Sequence, residues 1–531
     1  MVAMVRYTAF ALVGIGFAGS LALALALGPG WWVAVAVFGL LILVGILDIT
    51  QKDKNILRNY PVIGHGRYLL LKVRPELHQY FVEDDVTGKP FSWEERKLIY
   101  ERAAGQEGLD AFGTELDVNA PGYLWFEHSI AARHLEDSDL RVTVGGPECQ
   151  QPYSCSLYNI SAMSYGALSP NAILAMNRGA KAGKFYHCTG EGGLSRYHLA
   201  EGGDVVWQIG TGYFGCRNSD GTFSAEKYAE NARKPSVKMV EIKISQGAKP
   251  GHGGVLPGAK VNQAIAEARG VRVGEDCISP PSHSAFGSPR GLCQFIGQLR
   301  ELSGGKPVGF KLCIGNRSEF MAICKAMLET GTCPDFITVD GGEGGTGAAP
   351  AEFSDRMGMP LADALPFVDQ TLRGCGLREK VKVAASGKVI TATALLENLA
   401  KGADWCNSAR GFMMAVGCIQ AQVCHTNECP VGVATQDAGR QRGVDPVDKG
   451  EKVAKFHGRT MRVLADLVGA MGYSHPQDVP ADRVWRRNQW GEARQLSLEY
   501  PQIESGGLLR AGYQHPDFTP YWDAAHPDAW N

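Results

Sequence analysis

The stretch PVGFKLCIGNRSEFMAICKAMLETGTCPDFITVDGGEGGTG, residues 307–347, decides the fold. Pro307–Leu312 is a short apolar run and predicts a buried strand. Arg317–Thr330 has the apolar spacing of a helix, and Asp335–Val339 is a second strand-like run ending at the glycine-rich turn Gly341–Gly347. Strand, helix and strand in so little chain predict two parallel neighbours joined by a crossover. The rhythm extends both ways. Further strands are predicted at Leu157–Met163, Lys184–Cys188, Met239–Ile244, Asp276–Ser279, Lys380–Ala385 and Asp404–Asn407. Helices are predicted at Pro170–Ala182, Gly258–Arg269 and Thr391–Ala400. The set predicts an α/β chain with a (β/α)8 barrel over residues 151–440 and its chemistry at the C-terminal strand ends.

The chemically suggestive residues fall at those ends. Ser164 follows the first predicted strand, the turn Thr189-Gly190-Glu191-Gly192-Gly193 the second, and Gln246 the third. Ser386-Gly387-Lys388 follows the seventh, and Ser408-Ala409-Arg410-Gly411 the eighth. Loops after strands seven and eight of a barrel often hold phosphate, and glycine lets backbone approach it; the plainer alternative is ordinary tight turns. Lys311 is predicted to point into the barrel, where a lysine needs an anion: a ligand, or an acid of the barrel itself. Lys243, Lys249, Gln246 and Glu191 suit a dicarboxylate, with cations and an amide to bind it and an acid to move protons; the alternative is solvated charges on a glycine-shaped loop.

Outside the barrel, Tyr7 to Leu47 holds no charged residue, and Gly28-Pro29-Gly30 followed by Trp31-Trp32 divides it. Each half is about 17–20 residues, close to a membrane crossing. A two-helix transmembrane hairpin over residues 1–50 is predicted, against a signal peptide or a buried helix pair. Arg6 precedes it and Lys52, Lys54, Arg58 and Arg67 follow, which places both ends and the catalytic domain on the cytoplasmic side of the cell (inner) membrane. Residues 51–150 are read as a neck and cap, with a short helix at Trp93–Tyr100. Residues 441–531 are read as the amphipathic helix Lys449–Met471 and an irregular, tryptophan-rich tail. The net charge of −2 argues against nucleic acid. The 14 cysteines are scattered, so they form no disulfide framework and suggest a reducing compartment.

Cys418, Cys424 and Cys429 stand close together in GCIQAQVCHTNECPVGVATQ, residues 417–436. The spacing fits a metal or iron–sulfur loop one ligand short of four, and Pro430 after the last cysteine suits such a loop. Three buried core cysteines are the alternative.

This stretch resembles the three-iron cluster loop of glutamate synthase. SAMSYGALSPNAILAMNRGAKAG, HCTGEGG, EIKISQGAKPGHGGVLPGAKV, ISPPSH and DGGEGGTGAAP follow in the order of that family's flavin domain, from about Ser156 to about Tyr473. The resemblance implies FMN along Ala162-Met163-Ser164. It implies Lys311 at the reduced ring, Gly344 and Gly345 among the cofactor-binding residues, and the phosphate held by Ser386, Gly387, Lys388, Ser408, Ala409 and Arg410. It implies a [3Fe-4S] cluster on Cys418, Cys424 and Cys429, and substrate chemistry by Glu191, Lys243, Gln246 and Lys249.

The pattern also departs from the family. His252 and Val255 stand where it carries an acid and an amide, and Ser282–Ala285 lacks one of its histidines and an acid. Such changes alter selectivity. The family's glutaminase domain, with an N-terminal cysteine nucleophile, is not expected behind Met1-Val2, nor is a dinucleotide-binding subunit; ammonia is expected free or from a separate protein. Three functions follow. One is a membrane-anchored reductive amination of 2-oxoglutarate or a similar keto acid, fed by a donor such as ferredoxin. The second is an amine or amino-acid dehydrogenase passing electrons to membrane quinone. The third is a non-catalytic electron-transfer subunit, against which Glu191, Lys243, Gln246 and Lys249 argue.

Overall fold

A computed structural model describes residues 6–109, 111–136 and 140–530; Met1-Val2 and Asn531 lie outside the described residues. The chain divides into two compact units, Met1–Trp93 and Glu94–Asn531.

In the first unit, α1 (Thr8–Leu27) and α2 (Trp32–Thr50) are joined by a 3-10 turn at Pro29–Trp31. Both are long and apolar enough to cross a membrane. They pack through glycines: a Cβ at Gly16 would meet Phe38 Cε1 at 2.6 Å, and one at Gly45 would meet Phe10 Cε2 at 2.1 Å. Small residues that admit a neighbour's ring are a normal way to join membrane helices. Leu12, Leu25, Val33 and Leu40 remain exposed. Beyond α2 come the short helix Asn55–Asn59, the helix His65–Leu77 and a π-type turn at His78–Val82.

The second unit is built on a closed parallel barrel. Its strands are Tyr158–Ile160 (β1), His187–Cys188 (β2), Val205–Ile209 (β3), Val237–Lys243 (β4), Val308–Leu312 (β5), Phe336–Asp340 (β6), Lys382–Ser386 (β7) and Trp405–Ser408 (β8), paired in sequence order with β8 closing on β1. β3, β5 and β6 are buried at every residue, as expected of strands covered on both faces. Side-chain caps start the crossover helices: Ser169 accepts from the Ala172 N–H, Asn316 from Ser318 and Thr391 from Ala394. Gly331, at φ 72°, ends Arg317–Thr330 in the left-handed conformation.

One expected strand is corrected. Asp276–Ser279 contributes only Cys277–Ile278, which pairs antiparallel with Val255–Leu256 outside the barrel. The true third strand is Val205–Ile209, so Met239–Ile244 corresponds to the fourth and Gln246 follows β4. The strand was hidden because the β2–β3 connection holds only the four-residue helix Arg196–Leu199, too short to show helical periodicity. The helix expected from Gly258 begins at Gln263, after a 3-10 turn at Gly258–Lys260.

The hairpin Arg141–Val144 and Tyr153–Ser156 runs into β1 at the N-terminal end of the barrel. There Asp335 accepts the Gly146 N–H at 2.7 Å and pairs with Arg300 at 3.0 Å. The long helix Pro446–Ala470 lies against Pro170–Gly183. The tail is partly regular: Val484–Arg487 pairs with Leu124–Phe126 and Ala493–Gln495 in a three-stranded sheet. These elements leave the C-terminal strand ends to the loops described next.

Candidate active site

Glu191 stands in the loop after β2, and Lys243 ends β4. Their Oε1 and Nζ atoms are 2.8 Å apart. Two glycines enclose the carboxylate: a Cβ at Gly210, beyond β3, would meet Glu191 Oε2 at 2.9 Å, and one at Gly254 would meet Oε1 at 2.7 Å. Burial alone would raise this carboxyl; Lys243, Lys249 and Arg269 outweigh burial and hold it below the usual carboxylate range. Lys249 is itself buried, and desolvation draws its ammonium below the ordinary lysine value despite Glu191.

Arg269 was not singled out in the sequence. It ends the helix Gln263–Arg269 and donates to Tyr165 O at 3.2 Å from beside the Phe214 ring. It belongs to the long excursion between β4 and β5, whose fold depends on distant contacts. His283, in the same excursion, bonds Lys243 O through Nε2 at 2.8 Å and the Tyr213 hydroxyl through Nδ1 at 3.1 Å. Burial lowers His283 to about 4, so it is neutral near pH 7. His252 and Val255, where the family pattern changes, are exposed on this excursion, and the Ala285 N–H donates to the Tyr213 hydroxyl.

Gln246 turns elsewhere: its amide donates to Thr346 in the loop after β6, at 3.3 Å. Lys311 lies inside the barrel and pairs with Asp340 at 3.3 Å, the internal acid weighed above. Burial would lower Lys311, but Asp340 and Glu241 raise it above the ordinary lysine value. Glu241 in turn accepts from Gln208 at 2.6 Å and Thr338 at 2.5 Å, so the buried charges of the barrel are held by partners.

On the other side, the loops after β6, β7 and β8 meet through glycines. A Cβ at Gly345 would lie 2.8 Å from Arg410 Nε, and one at Gly344 would lie 3.2 Å from Asp340 Oδ2. Arg410 donates to Glu343 O at 2.8 Å. Its guanidinium is drawn below its ordinary value by burial, against Asp340 and Glu343. Ser386 lies 3.5 Å from Ser161, the Ser161 N–H bonds Ser408 O at 3.0 Å, and a Cβ at Gly387 would meet Glu343 Oε1 at 3.3 Å. Lys388 is exposed and Ala409 half-buried beside them. Ala162, Met163 and Ser164 continue β1 into the same mouth, and a Cβ at Gly190 would meet Ser164 N at 3.0 Å. The seam between the two sides is tightest at Gly247: a Cβ there would lie 1.7 Å from Gly341 O.

Beyond the helix Arg410–Ala415, Cys418, Cys424 and Cys429 line one small pocket with Met413, Val423 and Val433. Burial and the two neighbouring thiols push Cys418 up to about 12. Among the described residues no three Cys, His, Asp or Glu side chains are placed to hold one metal ion. The loop touches both sides of the mouth. Gln436 donates to Leu168 O at 2.9 Å in the loop after β1, and Lys260 of the excursion donates to Cys424 O at 2.8 Å. Lys260 was also unforeseen, since nothing local marks a lysine that bonds a loop more than 150 residues away.

The fold and its mouth define a (β/α)8 barrel enzyme with an acid–lysine cluster, a glycine-lined face and a cysteine loop at one end. The family model described as the conserved region in glutamate synthase matches residues 147–474. The glutamate synthase large subunit-like protein YerD of Bacillus subtilis (strain 168) is 38% identical over 487 residues, covering 84% of this chain and 92% of that protein. The archaeal glutamate synthase (NADPH) of Methanocaldococcus jannaschii is 33% identical over 354 residues, 66% of this chain and 65% of that protein. The chloroplastic ferredoxin-dependent glutamate synthase 2 of Arabidopsis thaliana is 36% identical over 370 residues, 65% of this chain and 21% of that protein. The chain belongs to the glutamate synthase family, and it is an oxidoreductase. It spans less than two thirds of the length of the archaeal and chloroplast relatives.

Proposed function

We propose that this chain is a membrane-anchored flavin and iron–sulfur oxidoreductase that reductively aminates 2-oxoglutarate, or a similar keto acid, with ammonia. The observation that carries the reading is Glu191 held ionised among Lys243, Lys249 and Arg269 at the C-terminal strand ends. Three cations around one carboxylate leave positive charge for a second anion, and a dicarboxylate substrate supplies it. Glu191, a base at neutral pH, accepts a proton as ammonia adds to the keto carbon and returns one as water leaves. Gln246 offers an amide donor from the end of β4.

The residues present fit FMN. Gly344 and Gly345 keep the loop after β6 free of side chains beside Arg410, and the desolvated guanidinium there suits a phosphate. In this reading Ser386, Gly387, Lys388, Ser408, Ala409 and Arg410 hold the phosphate, Ala162–Ser164 line the ring, and Lys311 supplies positive charge to it. Cys418, Cys424 and Cys429, lining one pocket, would hold a [3Fe-4S] cluster in this reading. Bound there, FMN would supply hydride chemistry at the substrate carbon and the cluster would supply one-electron transfer. Ferredoxin is one candidate donor, and the chloroplast relative's name supports it.

Residues 1–50 anchor the protein in this reading, 51–150 form a neck and cap, 151–440 carry the chemistry, and 441–531 buttress it. Two helices of membrane length favour a second reading, an amino-acid dehydrogenase reducing membrane quinone. Anaerobic protein in detergent separates the two. If 2-oxoglutarate with ammonia re-oxidises the reduced flavin, the first reading holds. If glutamate reduces it and a quinone analogue re-oxidises it, the second holds. If neither pair changes the flavin spectrum, both fail. Cys418→Ser should abolish the cluster's paramagnetic signal and leave the flavin absorbance.

A further inference from the structure

Resting on the anchored reading, we propose that the segment His65–Val82 is a third membrane-contacting element, lying in the plane of the bilayer surface with its apolar face among the lipid chains. The helix His65–Leu77 buries no residue. Leu69, Leu70, Val73 and Leu77, followed by Tyr80, recur at helical spacing and share one face; Leu71 lies off it. Leu70 is 63% exposed and Phe81, in the turn that follows, is 81% exposed. An apolar stripe this continuous on a helix that buries no residue marks an interaction surface.

Two observations say what covers it. The first is charge. Between residues 51 and 82 stand Lys52, Lys54, Arg58, Arg67, Lys72 and Arg74 against only Asp53 and Glu76. Arg67, Lys72 and Arg74 flank the apolar face on both sides, where long cationic side chains reach the headgroups while their stems lie on acyl chains. A cationic helix with one apolar face is the composition of an interfacial helix.

The second is the way the helix is fixed to the hairpin. Asp48 is the one charged residue of α2, and it is buried at the helix end. It accepts the Val62 N–H at 2.9 Å and bonds His65 Nε2 at 2.8 and 3.0 Å. Val62 has φ 66°, a left-handed conformation that a β-branched residue adopts only when its surroundings impose it. The lock folds the chain back so that the helix His65–Leu77 begins at the end of α2, where the hydrocarbon gives way to headgroups. The helix thus starts at the hairpin's end, within reach of the bilayer surface beside it.

Photolabelling in lipid tests this with the full-length protein. Vesicles of phosphatidylcholine and phosphatidylglycerol are doped with a phospholipid carrying a diazirine near the glycerol end of its acyl chain. Adducts are then mapped by mass spectrometry. Adducts on Tyr68–Val82 as well as on α1 and α2 are expected. Replacing Leu70, Leu77 and Phe81 by Glu should cut those on Tyr68–Val82 by roughly tenfold and leave the hairpin's unchanged, since binding scales with buried apolar area. Adducts on the hairpin alone would overturn the inference and leave the anchor standing, the face then being covered by protein. Adducts undiminished in the triple variant would overturn it too, because they would report proximity and not burial. No adducts anywhere would remove the anchor and this inference together.

Discussion

The two sides of the barrel mouth are made by opposite means. Around Glu191 the site is built from side chains present: an acid, two lysines, an arginine and a neutral histidine, each with named partners. Around Gly344–Arg410 it is built from side chains missing, with glycines letting loops come within contact of one another. The difference teaches where each half is sensitive. Shape-preserving substitutions that remove a charge should damage the first side chemically while it stays folded. A single methyl should damage the second side, and its seam, sterically.

The largest effect expected is on turnover. Glu191→Gln keeps the shape but removes the ionised base among three cations. A fall in kcat of about 10²–10⁴-fold is expected, the usual contribution of a positioned acid–base group. Steady-state assays of keto acid and ammonia consumption check it. Turnover within a few-fold of wild type would move proton transfer to another group, and the cluster would then serve binding alone.

Next come two alanines of unequal cost. At Gly247 the added Cβ meets backbone, Gly341 O at 1.7 Å, which cannot give way without moving both loops. Gly247→Ala should lose about 3 kcal/mol or more in urea unfolding. At Gly345 the added Cβ meets a side-chain atom, Arg410 Nε at 2.8 Å, which can shift. Gly345→Ala should lose only about 1 kcal/mol, the lower end of overpacking costs. Equal losses would mean that Arg410 is as rigid as backbone, a sharper version of the contrast.

The last effect is a slope. His283 falls from 6.5 to about 4 on folding, so the unfolded chain binds the extra proton between those values. Its contribution to stability is complete above pH 6.5 and is lost as pH falls toward 4, at up to about 1.4 kcal/mol per unit. His283→Gln should flatten that part of the stability curve relative to wild type. An unchanged slope would assign the acid limb to other buried histidines such as His198, also lowered to about 4.

Much of this was legible in the sequence because local signals carried it. The run 307–347 shows its strand–helix–strand order through apolar spacing, and Arg317–Thr330 begins and ends where Asn316 and Gly331 say it should. Glu191 and Lys243 were both placed at strand ends, and that placement brings them together. Legibility stopped where non-local contacts take over. Val205–Ile209 lay behind a connection with almost no helix, and Cys277–Ile278 is a strand only because Val255–Leu256 pairs with it. Arg269 and Lys260 sit on an excursion shaped by partners far away in sequence. Lys311 had two readings, and its pairing with Asp340 comes from a strand neighbour that local sequence does not reveal.

One of those unforeseen bonds has a wider consequence. Lys260 Nζ on Cys424 O joins the excursion that borders Glu191 to the loop that carries the three cysteines. Loops that share a tether share an equilibrium. On the proposed function, a ligand that shifts Val255–Lys260 would act on the cysteine loop through that bond, and what fills the loop would act back on ligand affinity by the same factor. The proposed substrate side and the proposed cluster loop are thus tied by a single buried ammonium.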